Sequence, residues 1–294
     1  MKLTTLLSAS LLWGSSLAIA DEHKSPLTVT PVAKQLHVIY GQGGNIAVSH
    51  GKDGLYIIDD QFARLSDEIK KALGNIQTNR AEFVVSTHHH GDHTGGNENF
   101  ANDGSHIIAH HNVYKRLEHK HGKNSKFLPV LSFGHDMTLH FNDEKANLKH
   151  YPHAHTDGDS VIFFTKANAV HLGDIYFNLG GLPFVDVDSG GSLSGVIDAV
   201  ADILKQVDNQ TIIIPGHGQV TNKQDLKKYL KLLKRARSLM VEAMSDGKTM
   251  EQVVTMRPLA PLKLKYSSWL PEERTTKLFY RSLSNKHTAT KHHH

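Results

Sequence analysis

The chain of 294 residues has no cysteine. An oxidising compartment is therefore tolerated, but no disulfide can help the fold, no lipid anchor can be attached through a lipobox cysteine, and no thiolate can ligate a metal. Stability must come from the apolar core, and about 270 residues beyond the first twenty suffice for one large domain. Excess charge of one sign is also scarce: 33 basic against 29 acidic residues give +4. The first twenty residues hold one lysine and no acid, so the remainder carries 32 against 29, or +3. That excess gives no argument for nucleic acid as a partner. Internal repeats of 20–50 residues and low-complexity segments are absent as well.

Long hydrophobic runs are missing too. The opening stretch MKLTTLLSASLLWGSSLAIA has Lys2 as its only charge and ends in the small-x-small pattern Ala18-Ile19-Ala20 before Asp21. Its apolar part is short, broken by serines and Gly14, and has no stop-transfer flank. We therefore expect a cleaved signal peptide at 1–20, a periplasmic or secreted product, and no stable membrane insertion after cleavage. Histidine, by contrast, is abundant, with 23 copies. Residues 286–294 form a His-rich tail, native or a tag, which is set aside.

The organising stretch is FVVSTHHHGDHTGGN, Phe83 to Asn97. Phe83, Val84 and Val85 suit a buried strand. Four potential metal ligands then follow within six positions: His88, His90, Asp92 and His93. Gly91 permits a tight turn among them, and Gly95-Gly96 a permissive exit. Ligands at i, i+2, i+4 and i+5 do not share one helical face, unlike the i, i+4 histidines of a helix-borne zinc site. A sharp loop ending a strand can instead point two each way, which suits two metal ions. A tag or a solvated loop also yields adjacent histidines, but neither requires an aspartate at this spacing between a β-run and Gly-Gly.

Short strands are expected between Leu27 and Asp60, with Gly-rich turns at Gly41–Gly44 and Gly51–Gly54, and a helix at Ala63–Leu73. Further strands are read at 106–109, 137–141, 146–151, 161–165, 169–172 and 211–214. Helices are read at 112–119, 192–206, 222–246, 249–256 and 271–283. His110, His111, His119 and His121 read as solvated side chains. The lysine-rich face of the 222–246 helix reads as solvated too.

The ligand-rich stretch resembles the T-H-x-H-x-D-H-x-G-G signature of the metallo-β-lactamase superfamily and matches it at every fixed position. That family draws further ligands from three later places. Each is present here: His155 in AHTDGDS, Asp174 in HLGDIYF and His217 in IPGHGQ. The resemblance spans about Leu36 to Gly218. It implies an α/β fold, a four-layer αββα metallo-β-lactamase sandwich with C-terminal helices, over residues 21–285. It also implies two Zn2+ per chain: His88, His90 and His155 on one, Asp92, His93 and His217 on the other, with Asp174 bridging. Iron and manganese stay open as alternatives.

The implied activity is hydrolysis of a small-molecule carbonyl substrate (ester, thioester, lactone or lactam) by a hydroxide shared between the metals, with Asp92 as the catalytic carboxylate. Tyr40, Tyr176, Asn178 and Phe184 are candidate pocket residues, and the Gly-rich loop 178–191 a candidate substrate wall. Two departures separate the chain from the family's lactamases. Those carry Cys or Ser where Asp174 stands, and many place a lysine three positions later, where this chain has Phe177. Asp174 instead resembles the glyoxalase II and lactonase branches. A true periplasmic metallo-β-lactamase and a non-catalytic periplasmic zinc-binding protein are the alternatives, and the oligomeric state is left open.

Overall fold

The computed structural model describes residues 27–78 and 80–284, so the expected signal peptide and the His-rich tail lie outside the described residues. The chain opens with a meander of β1 (Thr28–Ala33), β2 (Leu36–Tyr40), β3 (Ile46–Gly51) and β4 (Gly54–Ile58). After α1 (Ser66–Ile76) comes β5 (Phe83–Ser86), then the short helices α2 (Gly91–Thr94) and α3 (Asn97–Asn102). β6 (His106–His110), α4 (His111–His121) and β7 (Leu131–Phe133) complete a seven-stranded sheet in the order β1 to β7. Its β1–β4 half is antiparallel; β4–β7 are parallel.

The second sheet is built from β8 (Asp136–Phe141), β9 (Glu144–His150), β10 (Ser160–Phe164), β11 (Ala169–His171) and, beyond α5 (Leu193–Gln206), β13 (Ile212–Ile214). Its order is β13-β11-β10-β9-β8, with only the β11–β13 pair parallel. A small parallel pair joins β12 (Phe177–Asn178) to β14 (His217–Gly218). Helices α6 (Lys223–Ala243), α7 (Met250–Met256) and α8 (Glu272–Ser284) close the described chain.

Alternation along the strands makes four layers of this. Side chains one residue apart point to opposite faces, so strands buried on both sides read as unbroken apolar runs. Val38, Ile58 and Val85 of the first sheet meet Leu148, Ile162 and Ile214 of the second in the central core. Their neighbours Ile39, Ile57 and Val84 turn outward onto Ile69, Leu73 and Phe100 of α1 and α3. On the far side Val161, Val170 and Ile213 pack against Val200, Leu226, Leu233 and Phe279 of α5, α6 and α8. The architecture is therefore the expected αββα sandwich, with C-terminal helices reinforcing the second outer layer.

Local chemistry agrees with the helix limits. Ser192, Asn222 and Thr249 cap α5, α6 and α7 through side-chain oxygens accepting backbone N–H groups, and Thr249 with Gln252 forms a full capping box. Two solvated-histidine expectations need correction. His110 is only 4% exposed: it ends β6, its Nε2 donates to the Gly134 carbonyl (2.8 Å), and its ring stacks on His150 at 3.6 Å. His121 is half-buried and stacks on Phe127. Among the described residues no helix is long and apolar enough to cross a membrane.

Candidate metal centre

All seven expected ligands converge at one edge of the sandwich, where strands of both sheets end. β5 delivers Thr87 and His88. The expected ligand loop contains one helical turn: His90 precedes α2, and its carbonyl accepts the N–H of His93 (3.1 Å) and Thr94 (3.0 Å). This turn swings Asp92 and His93 away from His88 and His90. His155 follows β9, Asp174 sits on a turn after β11, and His217 begins β14.

Two glycines are required by close approach. A Cβ on Gly44 would lie 2.1 Å from the His93 ring, and one on Gly216 2.1 Å from Asp174 Oδ1. Asn45 ties the glycine-rich turn to the His217 loop by donating its side-chain amide to the carbonyls of Pro215 (2.9 Å) and Gly218 (2.7 Å).

The ligands form two groups. His88 Nε2 and His155 Nε2 lie 3.1 and 3.0 Å from His90 Nδ1, and 3.7 and 3.6 Å from Asp174 Oδ2. In the other group His217 Nε2 is 3.3 Å from His93 Nε2 and 3.2 Å from Asp92 Oδ2, while Asp174 Oδ1 is 3.1 Å from His93 Nε2 and 3.4 Å from His217 Nε2. The two oxygens of Asp174 thus face different groups. Four donors held tetrahedrally at zinc bond lengths of 2.0–2.1 Å would sit about 3.3 Å apart, within this spread.

Hydrogen bonds on the outer ring nitrogens fix which nitrogen keeps its lone pair. His93 Nδ1 donates to Asp59 Oδ2 (2.7 Å), and His155 Nδ1 to the Phe184 carbonyl (2.8 Å). His90 Nε2 donates to Asp186 Oδ2 (2.9 Å). The Thr87 hydroxyl spends its proton on Asp59 (2.8 Å), so it accepts from His88 Nδ1 (3.0 Å). Three bare lone pairs, on His88 Nε2, His90 Nδ1 and His155 Nε2, therefore point at one another with no proton between them. Asp174 Oδ1 is buried beside His93 Nε2 (3.1 Å) and His217 Nε2 (3.4 Å) without a hydrogen bond of good geometry to either. A cation at each position would resolve these conflicts, and an imidazole and carboxylate donor set without thiolate suits zinc.

Electrostatics divides the groups further. Burial and the neighbouring His93 hold His88 well below the ordinary histidine value; burial brings His155 down to about 4. Both are neutral and ready to ligate. At His93 and His217 burial works the same way but is outweighed, above all by Asp174. His93 is raised well above its ordinary value and His217 to about 9. Asp174 is held well below the carboxylate range because His93 and His217 overcome the effect of burial. Without cations, protons on these imidazoles balance the buried carboxylates.

The cleft beside the ligands has a volume of about 770 Å³, with Phe62, Phe177, Phe184, Tyr266 and Trp269 in its lining. Of the four candidate pocket residues only Phe184 lies there. Tyr176, at the end of the turn that precedes β12, is buried against Tyr229 with its side chain in the core. Asn178 accepts from the Tyr176 hydroxyl and donates to the Gln219 carbonyl, and the Tyr40 hydroxyl accepts from Val220 N–H. These three hold the His217 loop rather than line the cleft. From the 178–191 loop, Leu179, Gly181, Leu182 and Phe184 do form cleft wall.

Sequence reasoning missed Asp59, Asp186 and the 265–270 segment. The pair Asp59-Asp60 closing an apolar strand was a usable signal: both are fully buried, and Asp59 adopts φ 64°. His89, given no ligand role, forms a third close group with His90 and Asp186, and its Nε2 reaches Ser189 Oγ (3.3 Å).

The chain is similar to several known proteins. A probable hydroxyacylglutathione hydrolase of Schizosaccharomyces pombe is 28% identical over 157 residues, covering 51% of this chain and 52% of that protein. The type 2 metallo-beta-lactamase of Bacillus cereus is 26% identical over 199 residues, covering 65% and 73%. The chain spans about half the length of the hydroxyacylglutathione hydrolases it matches. Among solved structures, the metallo-beta-lactamase from Pontibacter korlensis superposes with a TM-score of 0.63 at 18% identity, covering 71% of this chain and 99% of that one; this likeness concerns the fold. The model of the metallo-beta-lactamase superfamily matches residues 75–243, more than half of the chain and all seven expected ligands, and the protein belongs to that superfamily.

Proposed function

We propose that this chain is an exported hydrolase with two zinc ions, cleaving carbonyl substrates with good leaving groups: thioesters, activated esters and lactones ahead of β-lactams. The single observation that carries this reading is the division of Asp174, one oxygen toward each ligand group. Zinc at the two positions would supply Lewis acidity at the carbonyl oxygen and lower the pKa of water to about 7. Asp92 would orient the attacking water and take its proton. It lines the cleft, and His93 outweighs the opposing effect of burial to keep its carboxyl below the ordinary value, hence charged at neutral pH. Water is consumed, and a carboxylic acid leaves with an alcohol or thiol.

Asp174 would add negative charge between the two positions, making the pair less electrophilic than a neutral ligand such as serine would, although not more anionic than a cysteine thiolate would make it. Phe177 stacks on His217 at 5.3 Å and offers no cation to a drug carboxylate. Both features favour easy leaving groups over lactam amides. The hydroxyacylglutathione hydrolase relatives support the thioester side of the reading, and the Bacillus cereus relative keeps the lactamase alternative in the test. Export rests on the leader-like residues 1–20, and N-terminal sequencing of protein recovered from a bacterial periplasm should begin at Asp21.

The decisive comparison is wild type against Asp174→Ser at fixed zinc on a thioester, a lactone and a chromogenic cephalosporin. Wild type should prefer the first two in kcat/KM, and the variant should lose its second metal first. Preference for the cephalosporin by orders of magnitude would make the protein a true β-lactamase.

A further inference from the structure

Two exposed apolar side chains meet in the cleft beside the candidate metal centre. Of the seven large hydrophobic residues exposed among the described residues, Leu179 (68%) and Trp269 (55%) both line the same cleft, so their exposure is concave rather than scattered. The wall begins at the ligands: the Phe184 ring lies 6.1 Å from that of His90 and 5.8 Å from that of His155. Phe184 is met edge-on by Trp269 at 5.1 Å and 64°. The Arg274 guanidinium, on α8, sits 5.4 Å from the Phe184 ring and 4.9 Å from the Trp269 ring, and donates to the Trp269 carbonyl (2.7 Å).

Two segments distant in the chain, the 178–191 loop and the stretch before α8, are thus locked into one aromatic face. The same Phe184 whose carbonyl holds His155 presents its ring to incoming substrate. Rigid aromatic anchors of this kind bury apolar ligand surface without ordering a loop first.

We propose that the Phe184–Trp269 face selects carbonyl substrates carrying an extended apolar group, an acyl chain of about six carbons or more or an aryl ring, over short polar ones. This rests on the hydrolase reading. It adds a specificity determinant that lies partly in residues beyond the family match, which ends at 243. The substrate's carbonyl reaches His90, Asp92 and Asp174 while its apolar group lies along Phe184 and Trp269. Hydrolysis then releases a lipophilic acid or alcohol.

The test uses zinc-loaded mature protein, from Asp21 onward, and a series of p-nitrophenyl esters from acetyl to octanoyl. Each methylene that reaches the wall should raise kcat/KM about fourfold. Trp269→Ala should cut the octanoyl-to-acetyl ratio at least about tenfold; the side chain is half in solvent, so its removal leaves the core intact. A second readout needs no turnover. Trp13 falls within the expected leader, so Trp269 is the one tryptophan from Asp21 onward and emission of the mature protein reports on the wall alone. Phenylbutyrate should then shift Trp269 emission saturably, and acetate should not. Turnover without chain-length preference, together with an unresponsive Trp269, overturns the proposal and leaves the hydrolase reading standing. Saturable phenylbutyrate binding with no ester cleaved upholds the apolar wall and overturns the hydrolase reading.

Discussion

Asp59→Asn isolates what a residue outside the ligand set contributes. Asp59 is fully buried, and its carboxylate accepts three hydrogen bonds: Thr87 N–H (2.7 Å), the Thr87 hydroxyl (2.8 Å) and His93 Nδ1 (2.7 Å). Asparagine tolerates the left-handed φ of 64° as aspartate does, so backbone strain does not confuse the comparison. One amide oxygen can still accept from Thr87 N–H. The new NH2 then confronts two donors, the threonine hydroxyl and His93 Nδ1. Losing two charge-assisted bonds in a buried site costs about 2–4 kcal/mol. For a chain of this size that lowers Tm by roughly 4–7 °C.

In the neutral form that ligation requires, His93 escapes the clash only by keeping its proton on Nε2, the nitrogen that faces His217 and Asp174. The second metal should therefore weaken about 10–100-fold, while His88, His90 and His155 hold the first. Thermal unfolding of metal-free protein gives the first quantity, and chelator competition on reloaded protein the second. An unchanged Tm and an unchanged affinity for the second metal would refute both the tautomer argument and the role given to Asp59.

Protein lacking residues 286–294 should bind two metals at saturation by elemental analysis, and one per chain would sink the paired site. Metal uptake should release protons. His217 titrates near 9 in the metal-free site and must be neutral to ligate, so affinity should climb as pH rises from 6 toward 9 and fall in acid; a flat profile in that range contradicts the assignment. Asp92→Ala should lower kcat at least about 100-fold with a smaller change in KM, and activity within a few-fold of wild type would remove its proposed role. Asp186→Asn should weaken the His88/His90/His155 position about tenfold or more while sparing the other, read by sequential chelator titration.

Much of this was written locally in the chain. HHHGDH sets four candidate ligands within six positions directly after a strand, so no long-range contact is needed to see them. Unbroken runs such as LYII and FVV announce strands buried on both faces, and Asn222 and Thr249 mark helix starts by a chemistry confined to one turn. The later candidate ligands His155, Asp174 and His217 were legible through their order and their short motifs. Even the chain's most helical-looking surprise, the single turn of α2, only sharpened the division between His88/His90 and Asp92/His93 that the spacing implied.

Tertiary structure alone decided the rest, for an identifiable reason. A tyrosine has the same letter whether it faces core or cleft, and only the turn into β12 sends Tyr176 onto Tyr229. A backbone carbonyl has no letter at all, so the hold of Phe184 on His155 is invisible in sequence. Trp269 and Phe184 are 85 positions apart, and nothing periodic links them until Arg274 and the packing of α8 bring them together. Residue identity over a few positions suffices to name candidate metal ligands, because ligation is chemistry of single side chains. Which nitrogen bears the proton, which oxygen faces which group and what shape the substrate meets depend on contacts between distant segments, and folding alone supplies those.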